Sequence, residues 1–440
     1  MSCSTSRFHS VNTAWCFIVA VLMCGCASQR PLMPTPNVYA LGIESAFDAS
    51  LPDVLRTTES TILFATDRAL KTRTDGRTDF GTKRSPSLAF GEAVIAITGS
   101  DSWQDLVADA QSNKRSKTLN LKLVSATELA RSPNYPLPYR VENGFPVIEE
   151  ETAREVQNLE ELVHESLRKR LEASPRKEIL LYVHGVKTTF DEAMFAAAEL
   201  WHFLGREFLP VAYSWPAGKG GAIRGYSYDR ESSEFTIFHF KRFLSWLSSL
   251  PEVEGIHILA HSRGTDVVIS GIRELAMESW AAGESPLERF KLRNVVLAAP
   301  DINVELELQR TQTEKVNLAA ERWTTYSSSR DRAIGASEFL FGGDRLGKAS
   351  YDTQDEQTRY YLDYMKDHLQ DKEALVEYMG RISGGFGHDY YRKNPAVSSD
   401  IVLTVRFGRD PGSINGRPLE HRGNIFWKID DYYLQDQDKN

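Results

Sequence analysis

Five short apolar runs, at 179–183, 209–215, 256–260, 294–299 and 322–327, constrain this chain more than any other feature. A strand with one wet face alternates polar and apolar residues. These runs hardly alternate, so both of their faces must be covered. Segments of helical period lie between them, at 190–204, 233–250 and 265–280. Along the first of these, Phe190, Ala193, Met194, Ala197, Trp201 and Leu204 share one face. Helical crossovers supply the covering layers and force parallel pairing. The pattern predicts an α/β fold with a doubly wound, mostly parallel sheet over residues 176–410.

Upstream, 61–66, 88–97 and 119–124 read as strands and 151–171 as a helix, an N-terminal α/β extension over 39–175. A C-terminal tail, 411–440, offers one more edge strand at 424–429 before a polar end. A formal net charge of −8 over 440 residues gives no basic excess with which to neutralise phosphates, so no nucleic-acid partner is expected.

All four cysteines, Cys3, Cys16, Cys24 and Cys26, precede residue 27. The body of the chain therefore has no disulfide framework, cysteine-rich metal site or cysteine nucleophile. The apolar run 14–23 is too short to span a bilayer but fits the core of a signal peptide. It leads into Leu22-Met23-Cys24-Gly25-Cys26-Ala27, which resembles the lipobox of bacterial lipoproteins. That resemblance implies a signal peptide over 1–25 and acylation of Cys26. Residues 26–38, polar and proline-rich, read as a tether. Ala27, where inner-membrane lipoproteins of enterobacteria carry Asp, implies an outer-membrane anchor facing the periplasm of the bacterial cell envelope.

The third apolar run enters Ala260-His261-Ser262-Arg263-Gly264, and a helix follows at once. A serine flanked by small residues two positions away, between a buried strand and a helix, is a nucleophile on a sharp turn. Its hydroxyl needs a base. The histidines after it are His368, His388 and His421. His388 follows the glycine-rich Gly384-Gly-Phe-Gly387 and is the candidate base; His368 lies in a charged periodic stretch and His421 in the tail. Asp331, after the fifth run, is the candidate orienting acid, with Asp301, after the fourth, as the alternative or else as a structural helix cap or loop residue. Oxyanion donors are expected from the backbone of Arg263 and from Gly185 and Val186, after the first run. The Arg263 side chain reads either as facing an anionic substrate group or as a salt bridge on the helix rim. His184 reads as a packed loop histidine. The segment 332–387, with a helical stretch over 352–379, reads either as shaping or covering the pocket or as a peripheral helix, and the loop 215–225 could form another wall.

Tyr182-Val-His-Gly185, Tyr213-Ser-Trp-Pro216, Asp229-Arg-Glu-Ser232, Leu259-Ala-His-Ser-Arg-Gly264, Leu297-Ala-Ala-Pro-Asp301, Ser327 to Asp331 and Gly387-His388 occur in this order. Together they resemble a bacterial, esterase- or lipase-like branch of the α/β-hydrolase superfamily catalogued as a domain of unknown function. The resemblance implies a serine hydrolase acting on a small-molecule or lipid acyl substrate, with no cofactor or metal. The alternative is an inactive hydrolase-fold binding or scaffold lipoprotein.

Overall fold

A computed structural model describes residues 29–72, 78–115, 117–221, 223–353, 372–381 and 386–435. The expected signal peptide, Cys26, His368 and the polar C-terminal end lie outside the described residues. Among those described, no helix is long and apolar enough to cross a membrane.

One twelve-stranded sheet organises the chain. Its parallel block runs, in spatial order, β2 (Glu59–Thr72), β8 (Leu209–Tyr213), β7 (Glu178–Val183), β9 (Gly255–His261), β10 (Leu292–Ala298), β11 (Ala320–Ser327), β12 (Glu373–Tyr378) and β14 (Phe426–Ile429). Antiparallel strands β3 (Thr78–Thr98), β4 (Asn120–Arg131) and β1 (Gln29–Pro31) extend it beyond β2, and β13 (Glu420–Gly423) closes the other edge. Leu180, Tyr182, Leu259, Val296 and Ala298 enter the core on one face, where α2 (Phe190–Phe203) and α6 (Pro395–Val405) pack. Ile179, Leu181, Ile258, Val295 and Leu297 enter the other, under α1 (Glu150–Ala173), α3 (Ile223–Ser249) and α4 (Gly264–Ala281). The unbroken apolar runs thus reflect burial on both sides.

Two expectations change. Residues 29–38 are no free tether: β1 pairs with β4, Leu32, Met33 and Val38 are buried, and Arg30 donates to the buried Glu199 at 2.5 Å. The N-terminal extension joins the same sheet, because β2 pairs directly with β8. Residues 373–378, inside the stretch expected to be helical, form β12, while 354–371 lie outside the described residues.

The expected edge strand at 424–429 is β14, and a buried ionic knot fixes the tail that carries it. Asp400 on α6 accepts from Arg417 Nε and Nη2 at 2.9 and 2.7 Å, from Tyr326 OH at 2.7 Å and from Tyr433 OH at 2.8 Å. Removing one partner strands a buried charge. Asp400→Ala should therefore cost about 3–5 kcal/mol in denaturant unfolding. A loss under about 1 kcal/mol, the value of a surface pair, would contradict this role.

Sequential β7 and β8 are neighbours, and the chain then crosses over to place β9 on the other side of β7. The carboxyl ends of β7 and β9 therefore meet where the winding reverses, the usual place for a site in an open α/β sheet.

Candidate active site

Ser262 sits between β9 and α4 with φ +53°, in the left-handed region that a non-glycine residue adopts only at a cost. The surroundings over-determine this turn. Ser262 N–H donates to Ala298 O at 2.9 Å, and Ser262 O accepts from Thr265 Oγ1 at 2.7 Å and Asp301 N at 3.2 Å. The small flanking residues have a steric cause. A Cβ on Gly264 would lie 2.3 Å from His184 O, and one on Gly185 would lie 2.6 Å from Ser262 Cβ. The loops after β7 and β9 approach too closely for either.

Asp331 is buried and serves two partners. Its Oδ1 accepts from Ala333 N at 2.9 Å and Ile334 N at 3.1 Å, capping α5 (Arg332–Phe341). Its Oδ2 accepts from His388 Nδ1–H at 2.7 Å. That bond places the proton on Nδ1 in the neutral ring and leaves Nε2 as the unprotonated nitrogen. Burial opposes a charge on His388, but the hydrogen bond and charge of Asp331, with Asp389 and Asp301, raise its pKa above the ordinary value. His261, the residue before the serine, is a partner the sequence did not reveal. Its ring lies 4.6 Å from that of His388, and its Nε2–H donates to His388 O at 3.3 Å. Burial, then the neighbouring His388, pushes its pKa down to about 3, so it is a neutral prop.

Asp301 is a structural loop residue: it is not a hydrogen-bond partner of His388, nor does it cap a helix. Its carboxylate accepts from Ser337 Oγ at 2.7 Å and from Tyr226 OH, across the cavity wall. The helix that follows is capped by Asn303. The Arg263 side chain is a buried salt bridge rather than a substrate contact, 2.8 Å from Asp266 and bonded to Ser233 Oγ at 3.1 Å. His421 is on the edge strand β13, bonded to Asn424 O.

The loop carrying Gly185 and Val186 is held by residues that sequence reasoning gave no role. Asp229 accepts from the backbone N–H of Lys187 at 2.8 Å and of Gly218 at 3.1 Å, joining the loops after β7 and β8. Fully buried Arg68 donates to Ala217 O at 2.7 Å, Thr188 O at 2.8 Å and Ser214 Oγ at 2.9 Å. Trp215 Nε1–H donates to His184 O at 2.7 Å, and its ring stacks on that of His184. Burial, and then the charge of Arg68, lower the His184 pKa well below its usual value. It is the packed loop histidine expected.

Ser262, His388 and Asp301 open into one cavity of about 610 Å³. Part of its wall is apolar, from Val186, Ile223, Ile334, Leu340 and Phe386. Another part carries Arg30, Glu192 and Arg392. The segment after Asp331 therefore does shape the pocket, through α5. Of the expected second wall, 215–225, Ile223 lines the cavity, with Tyr226 just beyond it on α3, whereas Ala217 and Gly218 are held by Arg68 and Asp229.

Comparison with known proteins agrees with this architecture. A family model described as alpha/beta hydrolase of unknown function, DUF900, matches residues 160–406. The match spans β7 to α6 and leaves β1 to β4 outside. No curated protein and no solved structure matches the chain.

Proposed function

This chain belongs to the DUF900 family of alpha/beta hydrolases, and we propose that it is a serine hydrolase cleaving an ester, thioester or related acyl bond. The observation carrying the reading is the 2.7 Å bond from His388 to Asp331, in the cavity that holds Ser262 on its strained turn. Ser262 Oγ attacks the acyl carbonyl while His388 Nε2 takes its proton. Asp331 holds the imidazole and stabilises the imidazolium that forms. The N–H groups of Arg263 and of Gly185 or Val186 receive the oxyanion. His388 then gives the proton to the leaving group, and water, deprotonated by the same nitrogen, clears the acyl-enzyme.

Hydrolysis of a p-nitrophenyl ester series tests the reading and reports acyl-chain preference. The apolar wall favours medium or long chains over acetate. Failure to cleave any member would count against it.

The pH profile follows from the site. The base works when neutral, so kcat/KM rises as His388 loses its proton. Because the folded environment raises that pKa, the acid limb should have its midpoint above the free-histidine value of about 6.5. A midpoint at or below that value would show that Asp331 does not govern His388.

The sequence around residues 14–28 supports a membrane setting, with the chain anchored in the bacterial envelope by a lipid on Cys26.

A further inference from the structure

We propose that the apolar rim of the Ser262 cavity docks on a lipid bilayer, and that the acyl group cleaved belongs to a membrane lipid. The substrate half of this rests on the serine-hydrolase reading; the docking half does not.

The rim is built from side chains that water should not be asked to cover. Ile223 is 62% exposed, Leu340 44% and Phe386 65%, although all three line the cavity. Phe339, beside Leu340 on α5 but outside the cavity wall, is 89% exposed. They come from three chain segments that the fold draws together. Phe386 O accepts from Arg332 N at the start of α5. Phe341, at its end, stacks on Tyr226, one turn from Ile223, with ring centroids 5.0 Å apart. Contiguous exposed apolar surface of this kind marks an interaction site.

The course of the chain identifies the occupant. Arg30 lines the same cavity and is clamped there by Glu199. Cys26 stands four residues earlier, and the apolar run 14–23 ends six residues before Gln29. Fully extended, those intervals reach at most about 14 and 21 Å. Whichever of the two enters a bilayer, the cavity is held at the bilayer surface. An acyl chain leaving the membrane would then pass over Ile223, Leu340 and Phe386 to reach Ser262 without crossing water.

Hydrogen exchange of the full chain, free and bound to vesicles of phosphatidylcholine with a minority of phosphatidylglycerol, tests the docking. Amides of residues 332–341 should exchange about tenfold more slowly on vesicles. Unchanged exchange would overturn the proposal. So would equal protection without vesicles, since the chain's own apolar run or a second copy would then cover the face. Phe339→Glu should abolish both that protection and hydrolysis of vesicle lipid, while leaving turnover of a soluble short-chain p-nitrophenyl ester unchanged. Undiminished cleavage of vesicle lipid by this variant would also overturn it. If wild type cleaves neither substrate, the hydrolase reading fails, and the exchange result still decides the docking.

Discussion

Ser262→Ala should lower kcat by roughly 10⁴- to 10⁶-fold while leaving the protein folded. The size follows from the chemistry: the neighbouring hydroxyl, that of Thr265, is committed to Ser262 O at 2.7 Å and is not placed to take over an acyl-enzyme. The intact fold follows from the bonds that hold the turn. They run through Ser262 N–H to Ala298 O, and from Thr265 and Asp301 to Ser262 O, and all use backbone atoms of residue 262. Alanine keeps each of them. It meets the same left-handed φ as serine, so the strain is carried over rather than added. Steady-state kinetics with a p-nitrophenyl ester and a thermal melt check both halves. Retained turnover would remove Ser262 from the reaction.

The second large effect separates two duties of one carboxylate. Asp331→Asn should keep α5 capped, because asparagine accepts from Ala333 N and Ile334 N as aspartate does. Its amide, turned towards His388 Nδ1, would favour the wrong tautomer, and kcat should fall by about 10⁴-fold. Asp331→Ala should show a similar loss of activity and also about 1 kcal/mol lower stability, the cost of the missing cap. Asp301→Asn should retain turnover, because Asp301 bonds Tyr226 and Ser337 instead of the imidazole. Activity abolished by Asp301→Asn but kept by Asp331→Asn would reverse the assignment.

The five central strands were legible because burial on both faces leaves an unmistakable apolar run. β12 was not. Glu373 and Glu377 sit four residues apart and imitate a solvated helix face. In the fold Glu373 is held instead by the amides of Asn317 at 2.7 Å and Gln312 at 3.0 Å, partners far away in sequence. The first turns of α3 were read as loop because of their glycines. Gly225 lies in the first turn of that helix, and it is glycine because a Cβ at that position would lie 2.3 Å from Lys219 O. The exposed hairpin of β5 (Tyr139–Glu142) and β6 (Phe145–Ile148) carried a readable signal that was passed over, Asn143-Gly144, with φ +51° and +84°.

At the site, the residue types were legible and their supports were not. A serine elbow and few downstream histidines and strand-end aspartates narrow the candidates quickly, and the fold brings Asp331 to His388. Arg68, Asp229, Glu199 and His261 act through contacts made only when distant segments meet. Arg68 lies 149 positions from the Ala217 carbonyl it holds. No local pattern announces such a residue.

The most direct test of the central claim is covalent. The full chain should be treated with a fluorophosphonate probe and the adduct located by mass spectrometry of its peptides. A single adduct on Ser262, missing in Ser262→Ala and greatly slowed in Asp331→Asn, is the predicted result. No adduct on the wild-type chain, or an adduct that persists in Ser262→Ala, would contradict it.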